Sequence, residues 1–156
     1  MNKLRTICAA VGIQIFFSTI AILPGAGAEV VSTDGQLILY DTGVVFDTDT
    51  GLEWYAGPNR GMTWLEAKKW VAGLDALGGG WRMPEQDELG AIRRVGDGVN
   101  NITSLLYTSG FWIWAGQTAD SSSKWIFSFS YGGEGWTGQA PSDGGRALAV
   151  RIRTTY

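Results

Sequence analysis

Few side chains in this chain can do chemistry, and their types narrow the field. Its 156 residues include no histidine and a single cysteine, Cys8. Ser-His-Asp and Cys-His triads, Cys/His zinc sites and the usual general base near neutral pH all need one of these residues. Carboxylates remain. A glycosidase needs only two acids about 5–10 Å apart, and Glu85 and Glu88 are the obvious pair. Their place just after Pro84 has a simpler explanation, because acids in the first turn of a helix are favoured by its dipole. Asp47-Thr48-Asp49-Thr50-Gly51 opens like a calcium loop, but Pro58 stands where such a loop needs its bidentate glutamate. A turn in which Asp side chains bond the local backbone is therefore expected. No catalytic residue, metal or cofactor is assigned.

Binding chemistry is easier to place. Gly132-Gly133-Glu134-Gly135-Trp136-Thr137-Gly138 lacks the Lys-Ser/Thr end of a phosphate loop, and reads as a flexible loop presenting one aromatic. Trp136 in that loop can stack on a sugar ring or an apolar ligand, with Tyr131, Glu134, Asp143 and Arg146 as the accompanying groups. The competing reading folds Trp136 back as a lid on the core. Arg82 is expected to bond backbone carbonyls or a carboxylate in preference to a ligand.

The elements that must position these residues follow from periodicity and turn chemistry. Leu37–Tyr40, Val44–Asp47 and Leu52–Tyr55 read as a three-stranded meander punctuated by Asp41-Thr42-Gly43 and by the turn at 47–51. Thr63 and Glu66 form a capping box, after which Trp64, Ala67, Val71 and Leu74 recur at helical spacing up to the glycines at 78–80. Three glycines followed by Trp81-Arg82-Met83-Pro84 cannot continue a helix, so the chain turns there. A second short helix, roughly 85–95, then carries Leu89 and Ile92 inward, and two helices meet at a corner plugged by Trp81. Phe111–Trp114 reads as a central strand and 125–131 as an aromatic-faced strand. Residues 132–145 read as a loop, and a closing strand points Leu148, Val150 and Ile152 inward against Ala149, Arg151 and Arg153. Trp54, Trp64, Trp81, Trp112 and Trp125 are assigned to the core.

Residues 1–28 read as a signal peptide: Lys3 and Arg5 precede an apolar run from Ile7 to Leu23, and Ala26-Gly27-Ala28 is an A-x-A cleavage site. Residues 29–36 are a short leader and 37–156 one domain. Cleavage removes Lys3, Arg5, Cys8 and no acid, taking the net charge from −3 to −5. That balance argues against a nucleic-acid partner, and no membrane insertion is expected after cleavage. The exported chain folds without a disulfide. All eight tryptophans lie beyond residue 28. Each can bury roughly 150–250 Å², an upper bound of about 4–6 kcal/mol, against about 2–4 kcal/mol for a disulfide. An indole-rich core can take the place of the missing bridges.

The ordered set Gly51-Leu52-Glu53-Trp54, Thr63-Trp64, Trp81-Arg82-Met83-Pro84 with Glu88-Leu89, Phe111-Trp112, Trp125 and Val150-Arg151 resembles the Lcl C-terminal domain family, a bacterial exported module. The resemblance implies an α+β, C-type-lectin-like fold. Two helices would pack on a twisted antiparallel sheet, the N- and C-terminal strands would be adjacent, and long loops would carry binding. It also implies a secreted or periplasmic location. The family's namesake adheres to sulfated polysaccharides, but the acidic balance here disfavours them, because they need a basic face. Lectin-type calcium signatures are missing, Gln139-Ala140-Pro141-Ser142-Asp143 being a loose echo. Formylglycine-generating enzymes share the lectin-like fold but depend on cysteines that this chain lacks. The expectation is a non-enzymatic binding module contacting a glycan or protein surface through residues 131–146. The alternative is a structural component of the cell envelope, and a carboxylate-dependent glycosidase ranks third. Oligomeric state is left open.

Overall fold

The computed structural model describes residues 27–75, 78–96, 99–118, 120–138 and 143–153. Most of residues 1–28, read as a signal peptide, the Gln139–Ser142 part of the stretch read as a late loop and residues 154–156 lie outside these. No helix among the described residues is long and apolar enough to cross a membrane.

The architecture is mixed α+β. In chain order the elements are β1 (Val30–Asp34), β2 (Leu37–Tyr40), β3 (Val44–Asp47), β4 (Leu52–Ala56), α1 (Trp64–Ala72), α2 (Gln86–Ala91), β5 (Trp112–Thr118), β6 (Ser123–Ser128), β7 (Gly133–Gly138), β8 (Gly145–Arg146) and β9 (Leu148–Ile152). They build two sheets where one was expected, ordered β1-β2-β3-β4-β9 and β7-β6-β5-β8. The first is antiparallel throughout. The second contains one parallel pair, β5 with β8. The 29–36 segment read as a short leader contains β1, with Thr33 opposite Ile38 and Asp34 opposite Leu37. The closing strand pairs with β4, from Leu52↔Ile152 to Ala56↔Leu148. The first and last strands are thus not neighbours, because the meander places β1 three strands away from β4.

The Trp-Arg-Met-Pro corner joins the two sheets. Gly78, Gly79 and Gly80 adopt φ of 93°, 72° and 78°, conformations open to glycine and strained for other residues. The chain then straightens, and Arg82 and Val150 exchange both backbone hydrogen bonds at 2.9 Å, extending the first sheet beyond β9. Two residues later the Pro84 carbonyl accepts from Gly116 N–H at 2.8 Å, reaching β5 of the second sheet. Two apolar clusters result. One combines Trp54, Leu148 and Val150 with Leu89 and Ile92 at the second helix and with Ile113 and Phe127. The other combines Val44 and Ala149 with Trp64, Ala67 and Val71 of α1, and with Trp81 and Trp114. The two helices therefore serve different clusters.

The capping box at α1 forms as read, with Thr63 N–H donating to Glu66 Oε2 at 2.8 Å and Glu66 N–H to Thr63 Oγ1 at 3.2 Å. The helix stops at its Gly73 C-cap, short of the 78–80 triplet. The second helix, read as roughly 85–95, is only six residues long, with Glu85 as its N-cap. β5 starts one residue late, leaving Phe111 70% exposed. β6 ends at Ser128, so Tyr131 falls in the following turn. Residues 133–138, read as loop, form a full edge strand paired from Ser123↔Gly138 to Ser128↔Gly133.

The closing strand needs the largest correction. Its two faces alternate as read, but Arg151 is buried and Ile152 is 74% exposed. The face assigned to solvent is covered by the corner: the Arg151 guanidinium lies 4.2 Å from the Trp81 ring centroid and donates to the Gly79 carbonyl at 2.7 Å. Ile152 lies at the strand's end, past the packed cluster. Of the five tryptophans assigned to the core, Trp54, Trp64 and Trp81 are buried, while Trp112 and Trp125 are half-buried on the rims of the two clusters. Trp114, which that assignment omitted, is fully buried.

Candidate functional site

The five predicted binding residues fall into two separate places. Tyr131 is 90% exposed at the β6–β7 turn and Trp136 is 66% exposed on β7, so the indole is not a lid on the core. Glu134 lies on the same strand, opposite Phe127. Trp136 sits opposite the half-buried Trp125 in the strand register. The turn is braced from beneath. Asn101 Nδ2 donates to the carbonyls of Phe129 and Ser130, both at 3.2 Å, and Arg93 Nε donates to Phe129 O at 2.9 Å. Sequence reading missed this support. Its signal was Asn100-Asn101, two residues suited to left-handed backbone, which they adopt at φ 65° and 60°.

Arg146 lies at the opposite edge of the same sheet, three strand spacings away or roughly 14 Å at about 4.8 Å each. It belongs to a different node. Asn59 Oδ1 accepts from Arg146 Nε at 3.2 Å, Ser109 N–H at 2.9 Å and Ser109 Oγ at 3.0 Å, while Arg146 also donates to the Asp143 carbonyl at 3.1 Å. Asp143 and Arg146 are thus part of a brace that ties together the loops at 59, 109 and 143. Among the described residues, Arg146 and its Asp143 contact stand across the sheet from Tyr131 and Trp136.

A well-lined concavity among the described residues lies elsewhere, at the corner. A cleft of about 410 Å³ opens between α1, the Trp81–Met83 segment and β5. Trp64, Val71, Trp81 and Met83 supply its apolar wall, and Lys68, Arg82, Glu85 and Gln117 its polar groups. Such a combination is what small-ligand sites look like. Sequence reading could not assemble it, since the lining residues are spread from position 64 to 117 and the indoles read, correctly, as core.

The polar groups of the corner are ordered by one another. Arg82 donates from both terminal nitrogens to Glu88, at 2.7 and 2.5 Å, and also to the Met83 carbonyl at 3.3 Å, as anticipated for this arginine. Glu88 Oε2 further accepts from Glu85 N–H at 2.8 Å. Burial by itself pushes the Glu88 carboxyl up, but these hydrogen bonds and the Arg82 charge outweigh it and hold the group below the ordinary value of 4.5. Donating to Glu88 in turn raises the pKa of Arg82. Both oxygens of Glu88 are engaged, which leaves Glu85 without the free partner a carboxylate pair requires.

This coupling has a pH consequence. A carboxylate whose folded pKa is depressed contributes stability above its unfolded pKa, and that stability is lost as pH falls through the folded value. On acidification below about pH 4.5, the melting temperature of Glu88→Gln is therefore expected to fall less steeply than that of the unaltered chain. Parallel curves from circular dichroism melts between pH 7 and pH 3 would show that this ion pair does not contribute.

Asp47 bonds its own turn: its carboxylate accepts from Asp49 N–H at 3.0 Å and its carbonyl from Gly51 N–H at 2.9 Å. That is the local turn expected from its sequence.

No curated protein matches the chain. The family model of the Lcl C-terminal domain matches residues 43–151. The matched span runs from the third strand through the capped helix, the corner and both hairpin strands to the buried arginine of the closing strand, and on that basis the chain belongs to the Lcl C-terminal domain family.

Proposed function

We propose that this protein is an exported, non-enzymatic binding module of C-type-lectin-like design, which engages a glycan or protein surface through the β6–β7 hairpin. The observation that carries the reading is Trp136: an indole 66% exposed on an edge strand whose register is set by six consecutive residue pairs. A large aromatic held rigidly at the surface offers contact area at low entropic cost, the property that makes tryptophan common among binding hot spots. Tyr131 and Glu134 accompany it. Asp143 and Arg146 do not belong to this surface.

The reading of export draws on the A-x-A site at 26–28 together with Glu29, which directly precedes β1. Glu29 and Asp41 are joined by Asp41 N–H to Glu29 O at 2.9 Å and by Glu29 N–H to Asp41 Oδ1 at 3.1 Å. Cleavage before Glu29 would turn that amide into an ammonium facing a carboxylate. A non-enzymatic role is supported by the absence of histidine, by the loss of Cys8 on cleavage, and by the commitment of Glu88 to Arg82.

On a glycan array, Trp136→Ala is expected to lose about tenfold or more in affinity, or roughly 1.4 kcal/mol. Its unfolding free energy should stay within the about ±0.5 kcal/mol typical of surface substitutions. A large fall in stability would instead make Trp136 a structural residue. The second reading, a structural component of the envelope, draws on the open outer edge of β7 among the described residues, which can accept another strand. Uniform silence on the array at several calcium concentrations would favour it.

A further inference from the structure

We propose that the cleft at the Trp81–Met83 corner is a second binding site, separate from the hairpin, and that it takes a small amphiphilic carboxylate: an apolar or aryl body with one anionic end. The argument starts from charge. The chain is acidic and its described residues include only three lysines, Lys68, Lys69 and Lys124. Two of them converge on one indole, Lys68 Nζ at 5.0 Å and Lys124 Nζ at 4.8 Å from the Trp64 ring centroid. Neither forms an ion pair with a carboxylate among the described residues. Lys124 is buried and donates to the carbonyls of Asp120 and Ser121, at 3.2 and 3.5 Å. Lys68 lines the cleft.

Of the two, Lys68 carries its ammonium into the cleft, a local positive charge in a protein whose overall field is negative. An anion in the cleft can pair with it. The rest of the cleft sets the ligand's other end. Trp64, Val71, Trp81 and Met83 offer apolar surface, and about 410 Å³ is room for an aryl ring with a short chain. Gly116 keeps the β5 wall bare: a β-carbon there would stand 3.3 Å from both Met83 Cβ and the Met83 carbonyl. Arg82, although cationic, is already neutralised by Glu88. Glu85 also lines the cleft and opposes an anion, which makes it a sensitive control.

The test is a titration of the purified, isotopically labelled chain with 3-phenylpropanoate, following the indole N–H resonances of Trp64 and Trp81. The amine and alcohol of the same skeleton serve as matched probes. Saturable shifts at both indoles are expected with the carboxylate in the millimolar range, given its few heavy atoms. The alcohol should bind about fivefold or more weakly, and the amine weaker still. Lys68→Met should weaken the carboxylate about fivefold without moving the melting temperature, Glu85→Gln should tighten it, and Trp136→Ala should leave it unchanged. The proposal is overturned if the amine binds as well as the carboxylate, if Lys68→Met has no effect on affinity, or if the shifts appear only at Trp136. Because the hairpin and the cleft are read separately, failure of either leaves the other standing.

Discussion

Arg151→Met is expected to lower the melting temperature by roughly 10–20 °C, a loss of about 3–5 kcal/mol in a domain of this size. Arg151 and Glu53 face each other across β4 and β9, with Nε 2.8 Å from Oε2 and both side chains buried. Removing the guanidinium leaves a carboxylate in a low-dielectric site, and an unpaired buried charge costs more than the pair contributed. The same substitution frees the Gly79 carbonyl and uncovers the Trp81 ring, so the corner loosens at its base. Arg153, 3.8 Å from the other Glu53 oxygen, softens the loss without replacing the bond. The double variant Arg151→Met, Glu53→Leu removes both charges and should recover much of the stability. If the double variant melts as low as the sum of the two single changes, the pair is not coupled and the clamp account fails. Near-ultraviolet circular dichroism suits the measurement, since Trp81 lies within the clamp.

The second large effect is expected at Trp114. Its side chain is fully buried, its Nε1 donates to the Met62 carbonyl at 2.7 Å, and its ring meets Trp112 edge-on at 6.4 Å between centroids. Trp114→Ala opens a cavity and strands a buried carbonyl, together costing about 3–5 kcal/mol or more. Trp114→Phe keeps most of the volume and isolates the hydrogen bond, so it should cost about 1–3 kcal/mol. Gly145 provides an independent check. A β-carbon there would lie 2.4 Å from Trp114 Nε1 and 2.8 Å from the Met62 carbonyl, the two ends of that bond. Gly145→Ala should therefore destabilise by an amount comparable to Trp114→Phe, measured by urea titration. A Gly145→Ala variant of unchanged midpoint would show that the indole bond is dispensable. Trp136→Ala is the internal contrast, since the same chemical truncation at an exposed site is expected to be nearly silent.

These contrasts locate what was legible in the amino-acid order. Local chemistry read well: the Thr63–Glu66 box, the turn at Asp47, the glycine-driven bend before Trp81 and the carboxylate partner of Arg82 are each decided by residues within six positions of one another. Alternation also read well, because which strand residues share a face is a property of the strand itself. Burial did not. Arg151 was read as solvent-facing and is buried, since a strand cannot announce that a corner seventy residues earlier will cover its second face. The glycine-rich 133–138 segment was read as loop because strand propensity is low for glycine; pairing with β6 overrode it.

The site divides along the same line. Sequence reading left Trp136 as either an exposed aromatic or a lid on the core, and only the pairing of β7 with β6 at the sheet edge decided that it is exposed. That Asp143 and Arg146 stand across the sheet from Trp136, and that Trp64, Lys68, Met83 and Gln117 enclose one cleft, depended on strand order and on contacts tens of residues apart. The sequence by itself determined the local turns, the helix start, the face alternation and the chemistries that lack of histidine forecloses, because these depend on near neighbours and on composition. Which faces became interior, which ions had to pair and which side chains converge were decided only by the tertiary structure, because burial and proximity belong to the packing of distant segments.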